Sequence, residues 1–156
     1  MRKRFSAKFL LYIAAIHTLA LSCTPQACFE ETESFLKATF INNSSGKAAS
    51  PDSVTLFSVG HDTNFIYNKS SGVQPAQFPL NSASDTSLFV IRINGITDTI
   101  GFIYTSYPHL VSKECGFTFY HTLVDSVRYT RHNINYIYQG NNSITTANEE
   151  NIRIFY

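Results

Sequence analysis

Tryptophan is absent from this chain of 156 residues, methionine occurs once, and only 15% of residues are charged. The formal net charge is +1, so there is no basic footprint for nucleic acid. The apolar stretch Phe9 to Leu21 is too short to span a bilayer and is interrupted by His17. No heptad, internal repeat or convincing helical periodicity occurs. Catalytic signatures are missing as well. There is no G-x-S-x-G elbow and no glycine-rich phosphate loop, and His61, His109, His121 and His132 stand in no metal-ligand spacing. Glu114, Asp98 and Asp125 could meet after folding, but the sequence holds no two of them together. These absences argue against an enzyme and give no reason to expect a metal or other cofactor.

What is present is strand-forming material. Hydrophobic residues make up 44%, enough for a real core, and thirteen Phe with nine Tyr favour pleated strands over helices. The richest stretch is Ser87 to Thr105, SLFVIRINGITDTIGFIYT. Two β-branched runs flank Asn94-Gly95, and both residues tolerate the positive φ of a type I′ turn. That turn pairs Ile93 with Ile96, Ile91 with Asp98 and Phe89 with Ile100. One face then carries Phe89, Ile91, Ile93, Ile96, Ile100 and Phe102 towards a core.

Further short runs lie on both sides. Phe35 to Ile41, Ser53 to Val59, Asn64 to Tyr67 and the Pro79 edge segment precede the hairpin. Gly116 to Thr122, Ser126 to Arg131, Ile134 to Gln139 and Ile152 to Tyr156 follow, with a loop expected at Tyr107-Pro108-His109. Turn signals every eight to twelve residues imply an all-β fold. The expectation is a single antiparallel β-sandwich domain over residues 35–156, immunoglobulin-like, with the Asn-Gly hairpin at its centre. A barrel enclosing a small-ligand or hydrolase site is the alternative.

The N-terminus carries Arg2, Lys3, Arg4 and Lys8, then the apolar Phe9 to Leu21, then Ser22 and Cys23. Residues 1–22 have the form of a secretory signal. Ala20-Leu21-Ser22-Cys23 resembles a bacterial lipobox, which would make Cys23 the acylated N-terminus and residues 23–34 a tether. Ordinary cleavage near Ser22, with Cys23 left as a thiol, is the other reading. Once Cys23 is acylated, Cys28 and Cys115 remain as an even pair. Export favours a disulfide, worth about 4–5 kcal/mol in the chain-entropy model, over two free thiols.

The Cys23 motif, CFEETESFLKATF, VQPAQFPLN, IRINGITDTIGF, SKECGFTF and ENIRIFY together resemble an uncharacterised lipoprotein family of Bacteroidetes-type bacteria. The resemblance implies a cell-envelope setting and supplies no activity and no functional residues. In that setting Asp52-Ser53-Val54 and Asp125-Ser126-Val127 resemble O-glycosylation acceptors at Ser53 and Ser126. Acidic residues begin several positions after Cys23, which favours the periplasmic face of the outer membrane over the cell surface.

Candidate contact residues are aromatic. Tyr129, Tyr136 and Tyr138, with Tyr104 and Tyr107, could form a platform for a glycan or an envelope protein, unless they are simply strand residues. The surfaces singled out are Tyr107 with His109, and Tyr136 with Tyr138. The expected function is a lipid-anchored, non-enzymatic binding or structural module.

Overall fold

A computed structural model describes residues 28–156. The expected signal segment, Cys23 and the first residues of the tether lie outside the described residues. Twelve strands follow in chain order: β1 (Phe35–Asn42), β2 (Lys47–Ala48), β3 (Val54–Ser58), β4 (Phe65–Ser70), β5 (Ala76–Pro79), β6 (Thr86–Ile93), β7 (Ile96–Ser112), β8 (Gly116–Leu123), β9 (Arg128–Tyr129), β10 (Tyr136–Gln139), β11 (Ser143–Ile144) and β12 (Ile152–Phe155). No helix occurs among the described residues.

The strands form two sheets that do not close into a barrel. One runs β10-β12-β1-β2, with β5 also paired to β1. The other runs β11-β8-β7-β6-β3-β4, with β9 beside β7. All pairings are antiparallel except β1 with β12, where Ala38 to Ile41 lie beside Ile152 to Phe155. This is a β-sandwich. Alternation puts Leu36, Ala38 and Phe40 of β1 inward, facing Leu56, Phe89, Ile91, Ile100 and Phe102 from the other sheet. Phe78 of β5 joins the layers, with edge-on ring contacts of 5.3 Å to both Phe89 and Phe102.

The central hairpin has the register expected from its turn, with Ile93 opposite Ile96, Ile91 opposite Asp98 and Phe89 opposite Ile100. Asn94 and Gly95 both have positive φ, 51° and 88°. Ile96 differs from the expectation. It is exposed, although its cross-strand partner Ile93 is buried in the core.

The expected loop at Tyr107-Pro108-His109 is strand. β7 pairs with β6 up to Ile103 and then with β8 on its other side, through Tyr104 to Ser112. Pro108 is tolerated for a specific reason. Tyr104 donates its N–H to Asp85 O, on the β6 side. By period-two alternation the backbone of residue 108 points the same way, past the end of β6, where a missing N–H breaks no ladder bond. β7 and β8 therefore continue as a two-stranded arm.

Candidate functional site

Asp98 is the carboxylate that the hairpin register puts on the core face, and it is 2% exposed. Its Oδ1 accepts from Thr130 Oγ1 at 2.6 Å and from the His132 N–H at 2.8 Å, with His132 Nδ1 3.1 Å away. Its Oδ2 accepts from the N–H groups of Asn133 and Ile134, at 2.8 and 3.0 Å. Burial by itself pushes the carboxyl up. The Thr130 hydroxyl and the three backbone donors outweigh that and hold its pKa at about 2. Asp98 is thus an ionised staple that fixes residues 130–134 ahead of β10. Every lone pair faces a structural donor, so it has no acid–base work to do.

His121 is buried on β8. Its ring lies edge-on to Tyr104 at 5.3 Å, and its Nδ1 is 2.8 Å from Ser106 Oγ. Burial holds its pKa below the ordinary 6.5. A Ser–His contact is part of nucleophilic catalysis, but no carboxylate bonds to His121 among the described residues, so the orienting third member is lacking. Nor do three or more His, Cys, Asp or Glu side chains gather to hold a metal ion among the described residues.

The β7–β8 arm has two unlike faces. On one, Tyr107 stands opposite Tyr120 and His109 opposite Thr118. His109 stacks on Tyr120 at 4.1 Å, and Tyr107 meets the same ring edge-on at 6.1 Å. The other face continues the core-facing side of both strands, placing Pro108 opposite Phe119 and Leu110 opposite Phe117. Among the described residues no second layer covers Leu110 and Phe117 there, and Phe117 is 72% exposed. Cys28 forms a disulfide with Cys115 at the end of the arm. Residues 28–34 then run beside β8, where Thr118 Oγ1 donates to Thr32 O and Ser34 Oγ donates to Phe119 O.

A separate aromatic surface lies on the outer face of the first sheet. The registers align Tyr136, Phe155 and Ile41 in one row and Tyr138, Arg153 and Thr39 in the next. Tyr136 stacks on Phe155 at 3.9 Å with 13° between the planes. The Arg153 guanidinium lies 5.7 Å from the Tyr138 ring centre, and Glu150 accepts its Nε–H at 2.7 Å. Two exposed tyrosines, a stacked ring and a cation thus form a platform across two strands, β10 and β12.

The remaining expected residues are dispersed. Tyr104 is not a surface residue. It is fully buried, its hydroxyl donating to Asn81 O at 2.9 Å and lying 2.7 Å from Ser87 Oγ. Tyr129 is half-buried beside Arg131. Ser53 is half-buried just before β3 and donates its N–H to Asn94 Oδ1, whereas Ser126 is exposed next to Asp125. Tyr107 with His109 and Tyr136 with Tyr138 belong to different sheets and form two surfaces. Sequence reading missed Tyr120, Arg153 and Phe155, whose part depends on register. It named Asp98 only as a carboxylate that could meet Glu114 or Asp125 and missed its cage of donors, although a carboxylate opposite Ile91 on a core face was itself the signal that donors must surround it.

The architecture defines an all-β sandwich with two exposed aromatic surfaces. The chain belongs to DUF6452, a family of unknown function, which matches residues 53–156. The match excludes β1, yet β1 lies between β12 and β5 and contributes Leu36, Ala38 and Phe40 to the core. No curated protein and no solved structure matches the chain.

Proposed function

We propose that this protein is a lipid-anchored envelope module of Bacteroidetes-type bacteria, acylated at Cys23, that binds a glycan or an envelope protein without catalytic turnover. The observation that carries the binding part is the outward platform of Tyr136, Phe155, Tyr138 and Arg153, with its stacked rings and its guanidinium. Flat aromatic faces with polar tips suit sugar rings and partner loops at low conformational cost. Two features support the envelope setting: the charged and apolar run that ends at Cys23, and the Cys28–Cys115 disulfide, which suits an oxidising compartment. The periplasmic face of the outer membrane is favoured over the cell surface.

The platform stands at the end of β1 away from the anchor. Ser34 lies against Phe119 of the arm, whereas Ile41, seven residues on, borders Phe155 about 20 Å further along the strand. A lipid before Cys28 would hold one end of the domain and present the other.

The test is a photo-crosslinking residue at position 138, activated in intact cells. A discrete adduct that disappears with Tyr136→Ala or Arg153→Ala, while thermal stability is unchanged, supports the platform. Absence of any adduct, or unfolding of either variant, refutes it. Cys23→Ala is expected to move the protein into the soluble periplasmic fraction; persistence on membranes after a high-salt wash refutes the anchor.

A further inference from the structure

We infer that the end of the β7–β8 arm is a membrane-contact site, at which Leu110, Phe117 and Phe29 rest in the interfacial layer of a lipid bilayer. The inference rests on the proposed acylation of Cys23 and adds which surface of the domain meets the lipid. Three observations converge on it.

The first is exposure without a cover among the described residues. Leu110, Phe117 and Phe119 are 48%, 72% and 44% exposed, and Phe29 is 92% exposed. Leu110, Phe117 and Phe119 lie on the core-facing side of a hairpin that outruns the core, so they are apolar by position. The second observation is covalent. The disulfide fastens Cys28 to Cys115, two residues from Phe117. Cys28 lies five positions after Cys23, a reach of at most about 18 Å when fully extended. An acyl chain on Cys23 therefore keeps the arm's end within that distance of the hydrocarbon, of which a headgroup layer roughly 5–8 Å thick takes up as much as half. The third is the open edge of β7 beyond Ile103, where Pro108 removes a donor from the side that another strand would pair with. Strand addition by a second protein is disfavoured there, while insertion of side chains into lipid is unaffected.

Charge fixes the character of the contact. Lys113 is the exposed cation at the tip, and Glu30, Glu31 and Glu114 are exposed around it. The acidic excess gives no attraction to anionic lipid, so burial of apolar side chains drives the contact and salt does not release it.

The absence of tryptophan makes the test direct. Phe117→Trp, on β8 opposite Leu110, and Ile96→Trp, at the start of β7, each place a single indole, at opposite ends of the β7–β8 hairpin and about 45 Å apart. Each full-length protein, purified in its lipidated form, is incorporated into phosphatidylethanolamine–phosphatidylcholine vesicles with or without brominated acyl chains. Phe117→Trp is expected to shift to the blue and lose most of its emission to brominated lipid, equally at low and high salt. Ile96→Trp is expected to keep its emission. A protein that does not float with vesicles after a high-salt wash overturns the anchor and this inference with it. Flotation with neither indole quenched overturns the inference alone. Equal quenching of both indoles means a domain lying flat, and shielding of Phe117→Trp from aqueous quencher without lipid quenching means a second protein copy; either result overturns the site.

Discussion

Replacing Asp98 by Asn should destabilise the domain by about 2–4 kcal/mol at neutral pH, because an amide cannot satisfy the donors that surround this position. Asp98 accepts from two structural donors on Oδ1 and two on Oδ2, besides the His132 ring. Whichever way the amide turns, its NH2 group meets two buried donors. An independent estimate comes from ionisation. A carboxyl moved from 3.8 to about 2 contributes roughly 2.5 kcal/mol of stability. The folded pKa lies below the unfolded one, so this contribution is complete above pH ~4 and is lost as pH falls through ~2. The difference in unfolding free energy between the natural protein and Asp98→Asn should therefore be wide from pH 5 to 7 and narrow steeply towards pH 2. His121, held below its ordinary pKa by burial, also loses stabilisation as pH falls below 6.5, but it does so in both proteins and cancels in the difference. Urea titrations followed by circular dichroism across this range measure the gap, and a fall in Tm of roughly 10 °C accompanies it at neutral pH. Hydrogen exchange at the amides of residues 132–134 should accelerate in the variant. A gap that does not change with pH, or a variant within about 0.5 kcal/mol of the natural protein, refutes the staple.

Three other perturbations test separate parts of the fold. Reduction or Cys28→Ser opens a loop of 87 residues and is expected to lower stability by up to about 4–5 kcal/mol, read as a Tm difference with and without reductant; an unchanged Tm refutes this. Asn151→Ala removes the acceptor of the Lys37 N–H at 2.9 Å and the donor to Ser143 O at 2.8 Å, both in a site only 2% exposed. A loss of about 2–3 kcal/mol by denaturant titration is expected, and a loss under about 0.5 kcal/mol means that water replaces the amide. Gly95→Ala has open space for its Cβ but must hold φ at +88°, so a cost of about 1 kcal/mol is expected, and an unchanged midpoint refutes the strain.

The class of fold and its central register were legible in the chain because they rest on local rules. Asn94-Gly95 imposes one turn, the turn imposes one register, and the period of two then assigns Phe89, Ile91 and Ile93 to the core. Pairing between strands distant in the chain followed no such rule. The parallel union of β1 with β12 joins residues more than a hundred positions apart, and no local signal points from Phe40 to Ile154. Pro108 read as a loop marker because its fitness for a strand depends on β6 ending at Thr86, a property of the neighbour and not of the proline. Ile96 and Phe117 are both apolar residues in strands and both exposed, which alternation along the strand does not reveal. The aromatic platform likewise needed β10 laid beside β12, which brings Tyr136 onto Phe155 and Tyr138 beneath Arg153. Side-chain alternation is written residue by residue along a strand. Which strand lies alongside, and where its cover ends, is set by packing the whole chain.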